Sequence, residues 1–222
     1  MSVKQDSCRR CGKCCNEGGP ALHGPDLELI TSGRIPLSAL ITLRKGELAH
    51  NPVFGKVSAI DNELVKLKGT GREWNCCYYD SQENSCTIYD FRPQACGVLK
   101  CWDPEDLLDM IGKDNLARLD ILTEEDPLRS IISEHDRLYP CPELEEISSL
   151  AADMSDKMKR NLQKLANEDL RFRTRVVKEF DLKLSHELFY FGRPVFQLLQ
   201  PLGAKVRESA LGIELLWVKS KD

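Results

Sequence analysis

No stretch of this 222-residue sequence approaches the run of about 18 apolar residues that a membrane-spanning helix needs. The opening MSVKQDSCRRCGKCC has no apolar segment of the kind found in secretory leaders, so a reducing cytoplasm is the expected compartment. Repeats and low-complexity tracts are missing, and the chain reads as globular. A net charge of -4 provides no electrostatic reason to expect nucleic acid or a membrane surface as partner. Hydrolase signatures are absent as well: there is no Ser-His-Asp order, no paired-carboxylate context and no zinc-hydrolase motif. Gly18-Gly19 and Gly69-Thr70-Gly71 do not follow a strand and open a helix, so both read as turns rather than nucleotide loops. His135-Asp136 reads as an exposed helix end.

Against these absences stand ten cysteines. Cys8, Cys11, Cys14 and Cys15 form a C-x2-C-x2-C-C run. Two-residue spacing lets sulfurs turn toward one point, as tetrahedral zinc and iron-sulfur clusters require, and Gly12 suits the positive φ of such a knuckle. Disulfides fit this spacing poorly, and thiols in a reducing compartment stay free unless a metal takes them. A looser second group follows: Cys76, Cys77, Cys86, Cys96 and Cys101.

The remaining pattern divides the chain into a cysteine-organised region over 1–103 and a helical region over 104–222. The expected class is α+β, mainly helical, with a metal-organised N-terminal half and a helical C-terminal half ending in a small β-hairpin. Residues 16–25 are too rich in Gly and Pro for an element. Asp26 reads as the N-cap of a short helix stopped by Gly33, and a second helix is expected from Pro36 to about Arg44. Residues 64–68 alternate as a short strand. Pro93 opens a turn that aims Cys96 back at the site, and Asp103-Pro104 and Asp126-Pro127 open helices. One long amphipathic helix is expected from Ile147 through Phe172 toward Val177, its methionines serving as core. A further helix over 187–202 bends near Pro194, and 205–208 with 213–218 flank the turn of the closing hairpin.

With both cysteine groups in view, the chain resembles the CxxCxxCC family of zinc- or iron-chelating proteins, also called YkgJ-like cysteine cluster proteins. The resemblance is carried by Cys8-x2-Cys11-Gly12-x-Cys14-Cys15 and by Cys86-x-Ile88-Tyr89-x2-Arg92-Pro93-x2-Cys96. Gly18-Gly19-Pro20-Ala21-Leu22-His23, Trp74-x-Cys76-x-Tyr78-Tyr79-Asp80 and Cys101-Trp102-Asp103 look like one of its branches. It covers roughly residues 8 to 103. It implies metal chelation rather than a reaction; some relatives are associated with iron-sulfur clusters, and a flagellin lysine methylase is similar in its cysteine pattern. Here the first cysteine of the second group is doubled, so either Cys76 or Cys77 is the ligand, and the framing by Trp74 and Asp80 favours Cys76.

Counting Cys76 once, the metal ligands expected from the motif are Cys8, Cys11, Cys14, Cys15, Cys76, Cys86, Cys96 and Cys101. Eight thiolates fit two four-ligand sites, or one cluster with ligands left over, and thiolate chemistry alone does not choose zinc or iron. A dense run with distributed partners leans toward an iron-sulfur cluster, expected as 4Fe-4S, with zinc as the alternative. His23 either completes a metal site or is an exposed or hydrogen-bonded loop histidine. Arg92 either donates to cluster sulfurs or pairs with Asp80 or Asp90, with a surface arginine fixed before proline as the plain alternative. Tyr89 and Trp74 read as packing, and Cys141 as a buried apolar residue or spare thiol. Basic residues along 157–178, Arg173 and Arg175 among them, read with Asp169 and Glu179 as a solvated face. The expected function is a cytoplasmic iron-sulfur protein serving electron transfer, sensing or support of a modification reaction. The alternatives are a structural-zinc scaffold whose helical half binds another protein, and a cluster-dependent protein methylase or other modifying enzyme. Whether the chain is an enzyme stays open, as do its substrate, redox partner and oligomeric state.

Overall fold

The computed structural model describes residues 5–51, 55–71, 73–150, 153–210 and 212–217. In chain order come α1 (Lys13–Asn16), α2 (Leu27–Thr31), β1 (Leu40–Leu43), β2 (Leu48–Asn51), β3 (Lys56–Ala59) and β4 (Leu64–Leu67). Four two-residue strands follow: β5 (Gly69–Thr70), β6 (Asn75–Cys76), β7 (Tyr79–Asp80) and β8 (Ser85–Cys86). Helices α3 (Gln94–Val98), α4 (Glu105–Leu108), α5 (Arg118–Ile121), α6 (Leu128–Leu138), α7 (Leu144–Leu150), α8 (Asp156–Glu179), α9 (Glu187–Phe191) and α10 (Val195–Leu199) precede the strands β9 (Ala204–Ser209) and β10 (Gly212–Trp217). The class is α+β, mainly helical, with two-stranded sheets and a C-terminal hairpin. No helix among the described residues is long and apolar enough to cross a membrane.

The chain forms two compact units. One joins the described residues up to Ile41 with Leu64–Ile121, and the other joins Thr42–Glu63 with the residues from Leu122 onward. In the first unit the Gly-Pro-rich stretch lines up beside β4: Leu67 donates its N–H to the Pro20 carbonyl and Leu22 to that of Val65. Val65 in turn donates to Leu116, and Leu116 to Leu22, so three chain segments share one small scaffold. Leu22, Ile35, Val65 and Leu67 are buried in it. Each such burial contributes about 1.5–3 kcal/mol.

Two expectations about this part of the chain are corrected. Residues 37–39 make one 3₁₀ turn and the chain then extends as β1, so the helix expected over 36–44 does not form. All four residues of β1 are buried, and a run buried on both sides mimics helical spacing in sequence. Helix α2 forms with Asp26 at its N-cap position, yet the side chain makes no capping hydrogen bond to it. Its buried carboxylate turns back, accepting the His23 N–H on Oδ2 at 2.9 Å and the Gln94 N–H on Oδ1 at 2.8 Å.

In the second unit, α7, α8, α10 and the hairpin bury Ile147, Leu162, Ala166, Leu198, Leu199 and Leu215 in one core. The long helix expected from Ile147 is two helices, α7 and α8. Ser155 takes extended geometry and accepts the Met158 N–H at 3.2 Å, starting α8 afresh. The helix expected over 187–202 likewise divides into α9 and α10 around Gly192 and Pro194. Gln163 and Asn167 of α8 bond the backbone of Leu215 and Ile213, fastening β10. Leu211 and Val218 of the expected hairpin lie outside the described residues. Three polar or charged positions read as exposed are interior: His135 and Asp169 are fully buried, and Arg173 is 2% exposed.

Candidate metal centre

The first cysteine run is a knuckle followed by a single helical turn. Arg10 sits in left-handed backbone at φ 51°, and its N–H points to Cys8 Sγ at 3.4 Å. Gly12, at φ 72°, then turns the chain into α1, which carries Cys14 and Cys15 and packs on β6. A Cβ at Gly12 would collide with the Tyr79 hydroxyl, so glycine is required here twice over, by backbone and by contact.

Three local devices present the second group. The β5–β6 hairpin pairs Cys76 with Gly69, and the β7–β8 hairpin pairs Cys86 with Tyr79. In the β7–β8 turn the Asp80 carboxylate accepts the N–H groups of Gln82 and Glu83, at 2.8 and 3.2 Å. Pro93 has extended backbone and leads straight into α3, which carries Cys96. Asp26 accepts the first N–H of that helix, a role of the acidic residue that its sequence context conceals.

Electrostatics link five of the sulfurs. Burial pushes the Cys96 thiol up to about 12, and the charges of Cys76, Cys14, Cys15 and Cys86 push in the same direction. Cys15 also rises to about 12, through burial, then the charge of Cys14 and a hydrogen bond to it, then Cys76 and Cys86. Cys86 is raised by burial and by Cys76 and Cys14, against the lowering effect of the Ile88 backbone and Arg92. Cys76 is the exception: a hydrogen bond from Cys77 brings it down to about 7 despite burial, helped by the Tyr78 backbone and Lys66. Cys77 is raised, chiefly by that same bond, and its sulfur lies 3.8 Å from the Ala39 carbonyl oxygen. Cysteines from separate stretches thus oppose the ionisation of Cys15, Cys86 and Cys96. A cation among them relieves that opposition, so the donor set fits a thiophilic metal. Among the described residues no three His, Cys, Asp or Glu side chains already stand where one metal ion could be held. The sulfurs are gathered but not closed on a point.

Other expected site residues lie further out. Cys8, Cys11 and Cys101 are exposed, and Cys101 Sγ lies 3.8 Å from Gln5 Nε2. His23 is buried, its Nδ1 3.0 Å from the Lys113 carbonyl oxygen, where it joins a capping box with Asp26. Arg92 donates to the carbonyls of Tyr89 at 2.8 Å and Cys96 at 3.4 Å and stacks on the Tyr89 ring. Cys141 belongs to the second unit, near Gly46, where burial and then Glu47 raise its thiol to about 12. Sequence reasoning passed over Arg10 and the tie from Asp26 to Gln94; the left-handed backbone that marks Arg10 has no signature in residue type.

A family model described as "CxxCxxCC: Putative zinc- or iron-chelating domain" matches residues 7–115. No curated protein and no solved structure matches the chain.

Proposed function

We propose, from the premise that this chain belongs to the CxxCxxCC zinc- or iron-chelating family through residues 7–115, that its thiolates hold an iron-sulfur cluster of the 4Fe-4S type. The observation that carries this reading is that Cys14, Cys15, Cys76 and Cys86 all oppose the ionisation of the buried Cys96, while Cys14 and Cys76 also oppose that of Cys15 and Cys86. The thiols come from well-separated stretches, which suits a polynuclear centre at their meeting point. When bound, such a cluster supplies one-electron redox chemistry. The chain's own residues do the holding: Cys77 keeps Cys76 poised as a thiolate by its hydrogen bond, and Arg92 fixes the loop between Cys86 and Cys96 through two carbonyls.

In this reading the protein serves electron transfer, sensing or support of a modification reaction in the cytoplasm, with a protein partner and without nucleic acid or membrane. Anaerobic purification followed by iron, zinc and acid-labile sulfide analysis tests it. Iron and sulfide in near-equal amounts with visible charge-transfer absorption are expected. Zinc without sulfide, in a colourless protein indifferent to dithionite, replaces the cluster by a structural-zinc scaffold.

A further inference from the structure

Two guanidinium groups stack on one ring. Arg92 Cζ lies 4.0 Å from the centroid of Tyr89, and Arg10 Cζ lies 4.5 Å from the same centroid. Tyr89 opens the short 3₁₀ turn between Cys86 and Cys96, and Arg92 ties that ring to the Tyr89 and Cys96 carbonyls. Arg10 belongs to the other cysteine group, between Cys8 and Cys11. Its backbone is left-handed, a conformation that glycine or asparagine adopts more readily than arginine. From this backbone the Arg10 side chain reaches Tyr89.

We propose that Arg10 is a positioning residue that clasps the first cysteine run onto the second cysteine group through Tyr89, so that metal leaves the centre slowly. The inference rests on the metal-centre reading above and adds the device that keeps the two ligand groups together.

The test compares the wild type with Arg10→Asn, Arg10→Lys, Tyr89→Leu and the Arg10→Asn/Tyr89→Leu double variant. Asparagine tolerates the left-handed backbone, so that variant removes the guanidinium without disturbing the knuckle. Release of the metal as purified to an excess of chelator is followed by absorbance. Arg10→Asn should release about two- to fivefold faster, the usual worth of an exposed cation–π contact. Arg10→Lys, which keeps the cation, should restore most of the loss. Tyr89→Leu, which also removes the Arg92 stack, should release at least as fast as Arg10→Asn, and the double variant should release no faster than Tyr89→Leu alone. Unchanged release in Arg10→Asn, a lysine variant as fast as asparagine, or additive effects in the double variant each overturn the clasp. Hydrogen exchange at the Asn16 and Gly18 amides, which bond Gly12 and Cys15 within the run, is measured on metal-free protein. Faster exchange in Arg10→Asn supports the clasp independently of metal, and unaltered exchange counts against it. A wild-type protein purified without zinc or iron overturns the centre reading instead, and the exchange measurement then decides the clasp alone.

Discussion

Asp169 and Arg173 stand one turn apart on α8, joined at 2.7 Å, and between them they cap two other helices. Arg173 donates to the Phe191 and Gly192 carbonyls, each at 2.9 Å, where α9 ends. Asp169 Oδ2 accepts the Val195 N–H at 2.8 Å, where α10 begins. The other carboxylate oxygen of Asp169 lies 2.7 Å from His135 Nε2. At the break around Gly192 one buried ion pair thus supplies donors for the carbonyls that end α9 and an acceptor for the first N–H of α10.

Removing one partner of this pair strands the other in the interior. Asp169→Asn or Arg173→Met is expected to cost about 3–5 kcal/mol, read from urea unfolding. An effect under about 1 kcal/mol would show that the pair is not the fastener of α9 and α10. The pH dependence has a definite sign. Burial alone raises Asp169, but His135, Arg173 and the Val195 N–H bring it from 3.8 to about 2. Its stabilisation is complete above pH ~4 and disappears as pH falls through about 2, a change of about 2 kcal/mol. Asp169→Asn should remove that share of the acid sensitivity.

Metal affinity should rise with pH. Cys15 and Cys96, both near 12 without metal, are protonated at neutrality and must give up protons to become ligands. Cys86, also raised, is protonated there too, and three displaced protons correspond to about a thousandfold loss of affinity per pH unit of acidification. Below pH 7 the protonation of Cys76 should steepen the slope further. Chelator competition between about pH 6 and 8 measures it, and a flat profile would remove these thiols from the ligand set.

Serine substitutions should sort the cysteines. Cys76→Ser and Cys96→Ser are expected to lose metal and loosen the first unit, since each removes a thiolate from the gathered set. Cys77→Ser should keep metal stoichiometry, because Cys77 faces the Ala39 carbonyl and acts on Cys76 through a hydrogen bond. Cys141→Ser should be silent in metal content. Metal analysis of the four variants decides, and full stoichiometry in Cys96→Ser would exclude α3 from the site.

Gly12→Ala should weaken the centre without touching the second unit. The left-handed backbone alone costs an alanine about 1 kcal/mol, and the added methyl meets Tyr79. Metal retention should fall while α8 and its core unfold at the same denaturant concentration as in the wild type.

Residue type and spacing alone determined much of this protein. The two-residue cysteine spacing, Gly12, the Pro93 turn ahead of Cys96, the proline-led helices and the closing hairpin are all local, and local chemistry is what a sequence displays. Long-range pairing decided the rest. Leu40 and Ile41 became a strand because β4 lies beside them, and the stretch from Pro20 to Leu22 took backbone partners that no Gly-Pro composition announces. Asp26 serves Gln94 rather than its own helix, and Thr42–Glu63 fold with the residues from Leu122 onward. His135 and Arg173 look like surface residues until Asp169 and the ends of α9 and α10 close around them. Charge is legible in one dimension, but desolvation and partnership are properties of packing. Only the folded chain determined which thiols face one another and which cations are buried.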